Sequence, residues 1–342
     1  MESTLCVPVH SQTQTAEARR AAMQLAAGLA FDETDAGNVG LVVTEAAKNL
    51  VKHAGGGDLI LRATENHGAT AVEMLALDKG PGILDIARSF EDGYSTAGTP
   101  GGGLGAISRL SSFHDIYSQP RQGTALLASI GARRSARHKM RSRPDAFLVG
   151  AVSVPLDREP VNGDTWAFQE LSPGCGRLIV ADGLGHGLLA ADASRAAVRI
   201  AQEYPAEHGI DLLQRVHAAL QSTRGAAVAV AEMDTGSQVV RYTGIGNISG
   251  VVIPAVGPLR HMVSQPGTAG HEARKMMEFS YAWEPGSILV MHSDGLHSRW
   301  SLDPYAGLIC RHPSLIAGVL YRDFVRGRDD ATVVVVRAAE AA

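Results

Sequence analysis

One short stretch near the middle of the chain limits the possible folds more than any other. An apolar run from Leu178 ends on Asp182, breaks into glycines from Gly183, and resumes as an alanine-rich helical pattern at Leu188. The run predicts a buried strand followed by a helix. A carboxylate at a strand end, next to a backbone that can approach a ligand closely, is suited to holding a hard cation.

Other acidic residues stand at the ends of apolar runs. Asp164 follows a glycine, Asp294 closes a second run, and the pair Asp329 and Asp330 precedes the last one. Each alone is typical of a turn. Taken together, they indicate a cation site. Carboxylates ~4 Å apart repel by about 4 kcal/mol per pair at an effective dielectric of about 20, so several aspartates that converge need cations to stay ionised together. Oxygen-only ligands favour Mg²⁺ or Mn²⁺ over Zn²⁺, and such ions can activate water for attack on phosphorus.

These motifs occur in a recognisable order. Gly-Asp, Ala-Asp-Gly-x-Gly-His-Gly, Ser-Asp-Gly and Asp-Asp-x-Thr before a terminal strand together resemble the PPM (type 2C) protein phosphatases, especially the bacterial SpoIIE/RsbX branch. The resemblance covers about residues 145–338 and includes Gly244-Ile-Gly246-Asn247. It implies an αββα sandwich that removes phosphate from serine or threonine with Mn²⁺ or Mg²⁺, and it makes Asp182 and Asp294 catalytic. The metal ligands it implies are Asp164, Asp182, the carbonyl of Gly183, Asp294, and Asp329 or its neighbour Asp330.

Two basic residues near these motifs are weaker candidates. His186 lies in the glycine turn and is interpreted as a conformational residue rather than a proton donor, because activated water does not require it. Arg158, six residues before Asp164, matches an arginine that binds substrate phosphate in eukaryotic members of the phosphatase family. The bacterial branch often lacks that arginine, so a surface role is favoured.

The N-terminal part carries a different set of motifs. In a helix predicted over residues 36–53, Glu45 and Asn49 share one face, as expected for a spacing of four. Alone, this face is typical of a solvated helix with an i,i+3 ion pair between Glu45 and Lys48. Three later boxes favour a ligand site instead. They are Asp78-Lys-Gly80-Pro-Gly82 after a strand, Gly101-Gly-Gly103-Leu-Gly105 at a helix start, and Gly123-Thr124 between two strands.

This order resembles the GHKL (Bergerat-fold) ATP-binding domains, and among them the RsbT-type serine kinases that act on anti-sigma factor pathways, over about residues 3–132. The resemblance implies an α/β sandwich that binds ATP with Mg²⁺. Asn49 would coordinate Mg²⁺, Glu45 would polarise the attacking hydroxyl or water, and Asp78 would accept a hydrogen bond from adenine. Gly80 and Gly82 would allow the turn beneath the base, and Thr124 would flank adenine. The backbone N–H groups at the helix start would bind the phosphates, at Gly101, Gly103 and Gly105.

Other nucleotide-binding motifs are not matched. No Walker-A sequence occurs, which argues against a P-loop. The glycines 101–105 follow a loop rather than a βαβ unit, which argues against a Rossmann fold. The short segment between the boxes at Asp78 and Gly101 leaves little room for a long ATP lid.

The chain of 342 residues is long enough for two domains of mixed α/β (α+β) class. We expect an ATP-binding domain over 1–132, a linker over 133–144 with six Lys or Arg, and a phosphatase domain over 145–342. Strands predicted over 147–154 and 165–171 are expected to pair across the turn Asn162-Gly163. A net charge of −4 gives no argument for nucleic acid, and no apolar run approaches the ~20 residues that span a membrane. Three isolated cysteines and the absence of a signal peptide favour the cytoplasm.

These features predict a bifunctional bacterial signalling protein. Its C-terminal half would be a metal-dependent serine/threonine phosphatase, and its N-terminal half an ATP-binding, serine-kinase-like domain. By resemblance, the partner is a phosphorylated STAS-domain protein of an anti-sigma or stressosome pathway. Two alternatives stay open: a non-catalytic module that sequesters a partner, and a phosphatase whose GHKL half only senses nucleotide.

Overall fold

The computed structural model describes residues 4–29, 31–66, 69–90, 103–132, 146–157, 159–273 and 275–339. The chain forms two compact units, one of Met1–Pro144 with Leu302–Arg322 and one of Asp145–Ser301 with Asp323–Ala342. The segment Leu302–Arg322 therefore packs with the first unit, although its sequence lies inside the predicted phosphatase domain. The predicted linker at 133–144 lies outside the described residues.

The first unit is built on a five-stranded antiparallel sheet with the spatial order β1-β2-β3-β5-β4. Its strands are β1 (Thr4–Val9), β2 (Gly57–Asn66), β3 (Ala69–Leu77), β4 (Phe113–Ser118) and β5 (Thr124–Gly131). The helices of this part are α1 (Gln12–Gly28), α2 (Glu33–Asn49), the short α3 (Ile86–Ser89) and α4 (Gly103–Leu110). Alternate strand residues such as Leu59, Leu61 and Met74 form one core with α1, α2 and α4.

The end of the helix that carries Glu45 differs from a regular α-helix. After α2, the chain forms a π-helical turn over Leu50–Ala54, which ends at Gly55 with a φ of 76°. The helix that the sequence predicts over 36–53 is confirmed as α2 and the π-helical turn, and it begins three residues earlier than predicted, at Glu33. The π turn changes the angular spacing of Lys52 and His53 relative to the residues on α2.

The second unit is a sandwich of two five-stranded antiparallel sheets, ordered β13-β10-β9-β8-β7 and β12-β11-β14-β15-β6. Its strands are β6 (Phe147–Val154), β7 (Asp164–Ser172), β8 (Cys175–Gly183), β9 (Ala226–Asp234), β10 (Val239–Ile245), β11 (Ser249–Ile253), β12 (Arg260–His261), β13 (Glu278–Ala282), β14 (Ile288–His292) and β15 (Ala331–Ala338). Side chains such as Leu178, Met291 and Val334 fill the core between the sheets. Helices α5 (Leu188–Glu203) and α6 (Gly209–Ala219) pack on the outer face of the first of these sheets. The predicted mixed α/β class is confirmed.

The predicted pairing of β6 with β7 is wrong. β6 pairs with β15 and β7 pairs with β8, so the two strands belong to different sheets. The turn at Asn162-Gly163 therefore carries the chain from one sheet to the other. A local turn signal indicates that the chain reverses, but it does not say which sheet the next strand joins.

A helix from the C-terminal part completes the first unit. Helix α7 (Pro313–Phe324) follows a 3-10 turn at Leu308–Cys310, and its residues from Pro313 to Leu320 are buried. Gly318 packs so closely on the first sheet that a Cβ there would lie 2.5 Å from Leu75 Cδ2 and 2.9 Å from Leu77 Cδ2. Leu75 and Leu77 alternate with Met74 and Ala76, so α7 covers the sheet face opposite α1, α2 and α4.

Polar contacts hold the same segment in place. Ser314 Oγ donates to Glu73 Oε2 at 3.2 Å, and Arg322 Nη1 donates to the carbonyl oxygen of Asp78 at 2.8 Å. No helix in the described parts of the chain is long and apolar enough to cross a membrane.

Candidate active site and nucleotide site

Four predicted aspartates meet in the second unit. Asp164 begins β7 and lies directly opposite Asp182 at the end of β8. Asp294 follows β14, and Asp329 precedes the neighbouring strand β15. The charges of Asp164, Asp294 and Asp329 all act on Asp182. The strand ends therefore bring these four carboxylates into one electrostatic cluster.

Burial and mutual repulsion disfavour ionisation of the cluster. Burial first, and then the charges of Asp164, Asp294 and Asp329, raise the pKa of Asp182 to about 9. Burial also raises the pKa of Asp164 to about 7, against the opposing effect of a hydrogen bond from Ser293. The pKa of Asp294 is raised by burial and by Asp329, while Arg326 and Asn247 oppose the rise. These carboxylates require a compensating positive charge to be ionised together.

One carboxylate oxygen of the cluster has no hydrogen-bond partner among the described residues. Asp164 Oδ2 accepts a hydrogen bond of 2.6 Å from Ser293 Oγ, whereas the buried Asp164 Oδ1 has none from any residue that the structure describes. An unpartnered buried carboxylate oxygen fits a cation ligand. Over the same parts of the chain, no three His, Cys, Asp or Glu side chains are arranged to hold a metal ion as they stand. The predicted ligands in the described parts of the chain therefore do not form a closed coordination shell.

Two residues that support the cluster were not singled out from the sequence. Asn247 Nδ2 donates to Asp294 Oδ2 at 2.8 Å, and Ser293 Oγ accepts from the Thr332 backbone N–H at 3.0 Å while it donates to Asp164. Both lie in motifs of the phosphatase resemblance, Gly-Ile-Gly-Asn and Ser-Asp-Gly. Their motif positions were the available signal, but their partners appear only in three dimensions.

The adjacent Asp329 and Asp330 have different surroundings. Asp330 is buried, and its two carboxylate oxygens accept from the backbone N–H groups of Leu156 at 2.7 Å and Gly163 at 2.8 Å. Asp329 is half-buried and lines an open cleft of about 470 Å³ together with Asp294. Both carboxylate oxygens of Asp330 are therefore hydrogen-bonded to the backbone, whereas Asp329 lies at the cleft.

The glycine turn after Asp182 is tightly constrained. A side chain on Gly183 would collide with the carbonyl oxygen of Ala190, at the start of α5. The Gly183 N–H donates to the Gly163 carbonyl at 3.2 Å. His186 lies three residues on, and its Nδ1 is 2.8 Å from Glu159 Oε1 on the surface. Arg158 lies outside the described residues.

The first unit brings together the predicted magnesium and catalytic residues of the nucleotide site. A Cβ on Gly103 would lie 3.3 Å from Glu45 Oε2 and 3.4 Å from Asn49 Oδ1. The start of α4 therefore lies against the polar face of α2, and the missing side chain at Gly103 keeps that space open. Gly105 is buried in α4, and Gly101 lies outside the described residues. Lys48 Nζ contacts Glu45 Oε1 at 2.8 Å, so the i,i+3 ion pair is also present.

The second part of the nucleotide site is built around Asp78. Its Oδ1 accepts from the backbone N–H groups of Gly80 at 2.8 Å and Thr124 at 3.2 Å. Burial raises the pKa of Asp78, and these two hydrogen bonds oppose the rise. Gly82 has a φ of 73°, and a side chain there would collide with the Gln119 carbonyl. The box at 78–82 and the Gly123-Thr124 box are thus joined at one carboxylate.

Comparisons with known proteins agree with both halves of this geometry. The family model "Stage II sporulation protein E (SpoIIE)" matches residues 172–339, and "Histidine kinase-like ATPase domain" matches residues 9–130. The serine/threonine-protein kinase RsbT of Bacillus subtilis (strain 168) is 30% identical over 128 residues, which cover 37% of this chain and 96% of RsbT. The chain belongs to the RsbT-like ATPase family, and its residues 172–339 match a SpoIIE-type phosphatase domain. Its second unit is accordingly a PPM-type serine/threonine phosphatase domain.

Other relatives match the SpoIIE-type half. The phosphoserine phosphatase RsbX of the same organism is 26% identical over 118 residues, which cover 34% of this chain and 59% of RsbX. The crystal structure of RsbX in complex with magnesium superposes with a TM-score of 0.51 and 19% identity, over 58% of this chain and 98% of that one. A structure from work on the bacterial stressosome as a modular system superposes with a TM-score of 0.53 and 24% identity, over 56% of this chain and 100% of that one. These two superpositions show a shared fold.

Proposed function

We propose that the second unit hydrolyses phosphoserine or phosphothreonine on a partner protein in a reaction that depends on Mn²⁺ or Mg²⁺. The observation that carries the proposal is the buried aspartate cluster, in which Asp164 Oδ1 has no partner among the described residues. Bound divalent cations would supply the positive charge that allows the cluster to ionise and the Lewis acidity that phosphate hydrolysis needs.

The residues of this chain would divide the task between them. Asp164, Asp182, Asp294 and Asp329 would hold the cations, together with the carbonyl oxygen of Gly183. Asn247 would fix the orientation of Asp294, and Ser293 that of Asp164, because each donates a hydrogen bond to the carboxylate concerned. Among these residues, Asp182 and Asp294 are the central catalytic pair of the proposal.

We also propose that the first unit binds ATP with Mg²⁺. Asn49 would hold the magnesium ion, Glu45 would polarise the attacking hydroxyl, and Asp78 would accept from the adenine amino group. Six further residues would line the base and the phosphates: Gly80, Gly82, Gly101, Gly103, Gly105 and Thr124. The support is the contact of Gly103 with the polar face of α2, together with the bonds that tie Gly80 and Thr124 to Asp78.

The partner we propose is a phosphorylated STAS-domain protein of a sigma-factor or stressosome pathway. The support is that relatives of the two halves are a serine/threonine-protein kinase and a phosphoserine phosphatase, and that the sandwich superposes on a structure from work on the bacterial stressosome. One chain would then hold opposing activities, and its net direction would follow the ATP concentration. Partner phosphorylation that stays constant across physiological ATP levels would contradict this switch.

The kinase half of the proposal is tested with radiolabelled ATP and the STAS-domain proteins of the same genome. Asp182→Asn in the full chain prevents removal of the label, so that transfer accumulates. Label should appear on the partner and be lost when Glu45→Ala is added. A tight stoichiometric complex that survives Glu45→Ala without label transfer would instead favour a non-catalytic binding module. ATP binding that changes only the phosphatase rate would favour a nucleotide sensor.

A further inference from the structure

Two arginines stand beside the aspartate cluster without an assigned role. The cleft of about 470 Å³ is lined by Asp294, His297, Arg326, Arg328 and Asp329. The geometry points to Arg326 and Arg328 as the residues that bind the phosphate group of the substrate and hold its phosphorus next to Asp294 and Asp329. This inference rests on the proposed phosphatase function and names the substrate-binding side of the same site.

The loop that carries the two arginines is fixed to the loop that carries Asp294. The Arg326 N–H donates to the Gly295 carbonyl at 2.8 Å, and the His297 N–H donates to the Phe324 carbonyl at 2.9 Å. Leu296 and Val325 form an antiparallel bridge between these two bonds. The backbone at Arg326 is therefore fixed by hydrogen bonds to the loop that carries Asp294.

A tight turn separates the two arginines. Gly327 lies between them with a φ of 65°, in the left-handed region that side chains disfavour. Immediately after the second arginine the chain reaches Asp329 and enters β15. The same short segment thus contributes two cationic side chains and one carboxylate to the cleft.

The charges in the cleft require such cations if a phosphate is to enter. A phosphorylated side chain carries about −1.5 to −2 charges at neutral pH, so carboxylates alone would repel it. Arg326 acts electrostatically on Asp294, which places its charge at the cluster. Both arginines are exposed, and within the described ranges neither guanidinium forms a hydrogen bond or ion pair. Their planar donor groups are therefore available for two-point binding of phosphate oxygens.

The geometry also favours these arginines over other basic residues nearby. His186 is paired with Glu159 on the surface. Arg177, although close in sequence to Asp182, is buried and bonded to Glu232 at 2.8 Å. Arg326 and Arg328 are the arginines that line the cleft together with two members of the aspartate cluster.

The test uses the full chain with Mg²⁺ and two probes, inorganic phosphate in a calorimetric titration and an aryl phosphate in a turnover assay. We expect Arg326→Ala and Arg328→Ala each to raise the Kd for phosphate and the KM for the aryl phosphate by about tenfold, with a smaller change in kcat. Lysine at either position should restore part of the affinity, because the charge remains while the planar fork is lost.

Arg199→Ala is the matched control. Arg199 is an exposed arginine of the same unit, 3.7 Å from Glu203 on α5, and its removal should leave both constants unchanged. Thermal unfolding checks that the loop variants fold, since both side chains are exposed.

The outcomes separate this inference from the proposed function. Phosphate affinity and KM that stay at the wild-type values in both arginine variants would overturn the inference, even if hydrolysis by the wild type is metal-dependent. Phosphate binding that weakens in the variants, from a wild type that hydrolyses nothing, would support the inference and contradict the phosphatase proposal. A wild type that neither binds phosphate nor hydrolyses the aryl phosphate would overturn both.

Discussion

At the scale of single residues, the neighbours Asp329 and Asp330 have different surroundings in the structure, although the sequence allows either as the metal ligand. Asp330 accepts two backbone hydrogen bonds and is only 3% exposed, whereas Asp329 lines the cleft. The bonds from Leu156 and Gly163 hold the segment through which the chain crosses from β6 to β7. Asp330 therefore stabilises the frame of the site, and Asp329 is the member of the pair that we propose as a metal ligand.

We predict opposite consequences for the two alanine variants. Asp330→Ala should lower the free energy of unfolding by about 2–3 kcal/mol, because it leaves a buried N–H group at Gly163 and a partly buried one at Leu156 without an acceptor. Asp329→Ala should unfold at nearly the wild-type urea concentration but lose about 100-fold or more of the metal-dependent hydrolysis rate. Urea denaturation and an aryl phosphate assay on both variants decide the matter. Equal stability losses in the two variants would contradict the assignment.

At the scale of elements, helix α7 shows tight packing that depends on a glycine. Gly318 lets the helix approach Leu75 and Leu77 on β3, and its polar neighbours Ser314 and Arg322 bond to the same sheet. This approach buries the second face of the sheet of the first unit. The stability of the first unit therefore depends on a segment more than 150 residues away from that sheet in sequence.

We predict that Gly318→Ala destabilises the protein by about 1 kcal/mol or more, although alanine is the better helix former. The added methyl group would lie 2.5 Å from Leu75 Cδ2, and overpacking of this kind costs about 1–3 kcal/mol. Gly37→Ala in α2 is the matched control, because nothing lies within 4 Å of a Cβ there. It should stabilise by about 0.5–1 kcal/mol. Thermal unfolding of both variants measures the difference, and a shift of the same sign in each would refute the packing account.

At the scale of the whole molecule, the two compact units do not follow a single cut in the sequence. The first unit takes Leu302–Arg322 from the C-terminal part, and the chain then returns to the second unit for its last strand. A fragment ending at residue 144 would therefore lack the helix that covers Leu75 and Leu77.

We predict that such a fragment is less stable than the same unit in the full chain. Its exposed apolar strand face should bind a hydrophobic dye, and its thermal midpoint should fall by several degrees, since each 1 kcal/mol shifts the midpoint by about 2–4 °C in domains of this size. Co-expression with a peptide of residues 302–326 should reverse part of the loss. A fragment as stable as the intact unit would show that α7 contributes little.

Local patterns in the sequence predict the elements and the residues at their ends. The apolar run before Asp182, the glycines after it and the polar face of α2 all correspond to elements observed in the structure. Which strand or helix an element packs against is not predictable from local patterns. The pairing of β6 with β15, the packing of α7 on β3 and the capture of Asp330 by two backbone groups each join residues far apart in sequence. Such contacts depend on the competition between whole surfaces, which a local pattern does not contain.

We propose the aspartate cluster of the second unit as a metal-dependent phosphatase site. This proposal is tested by hydrolysis of an aryl phosphate by the full chain with Mn²⁺ and with chelator, beside Asp182→Asn and the exposed control Asp192→Asn on α5. We expect a rate that needs Mn²⁺, is retained in Asp192→Asn, and falls by about 100-fold or more in Asp182→Asn. Hydrolysis that persists in chelator, or that Asp182→Asn leaves at the wild-type rate, would contradict it.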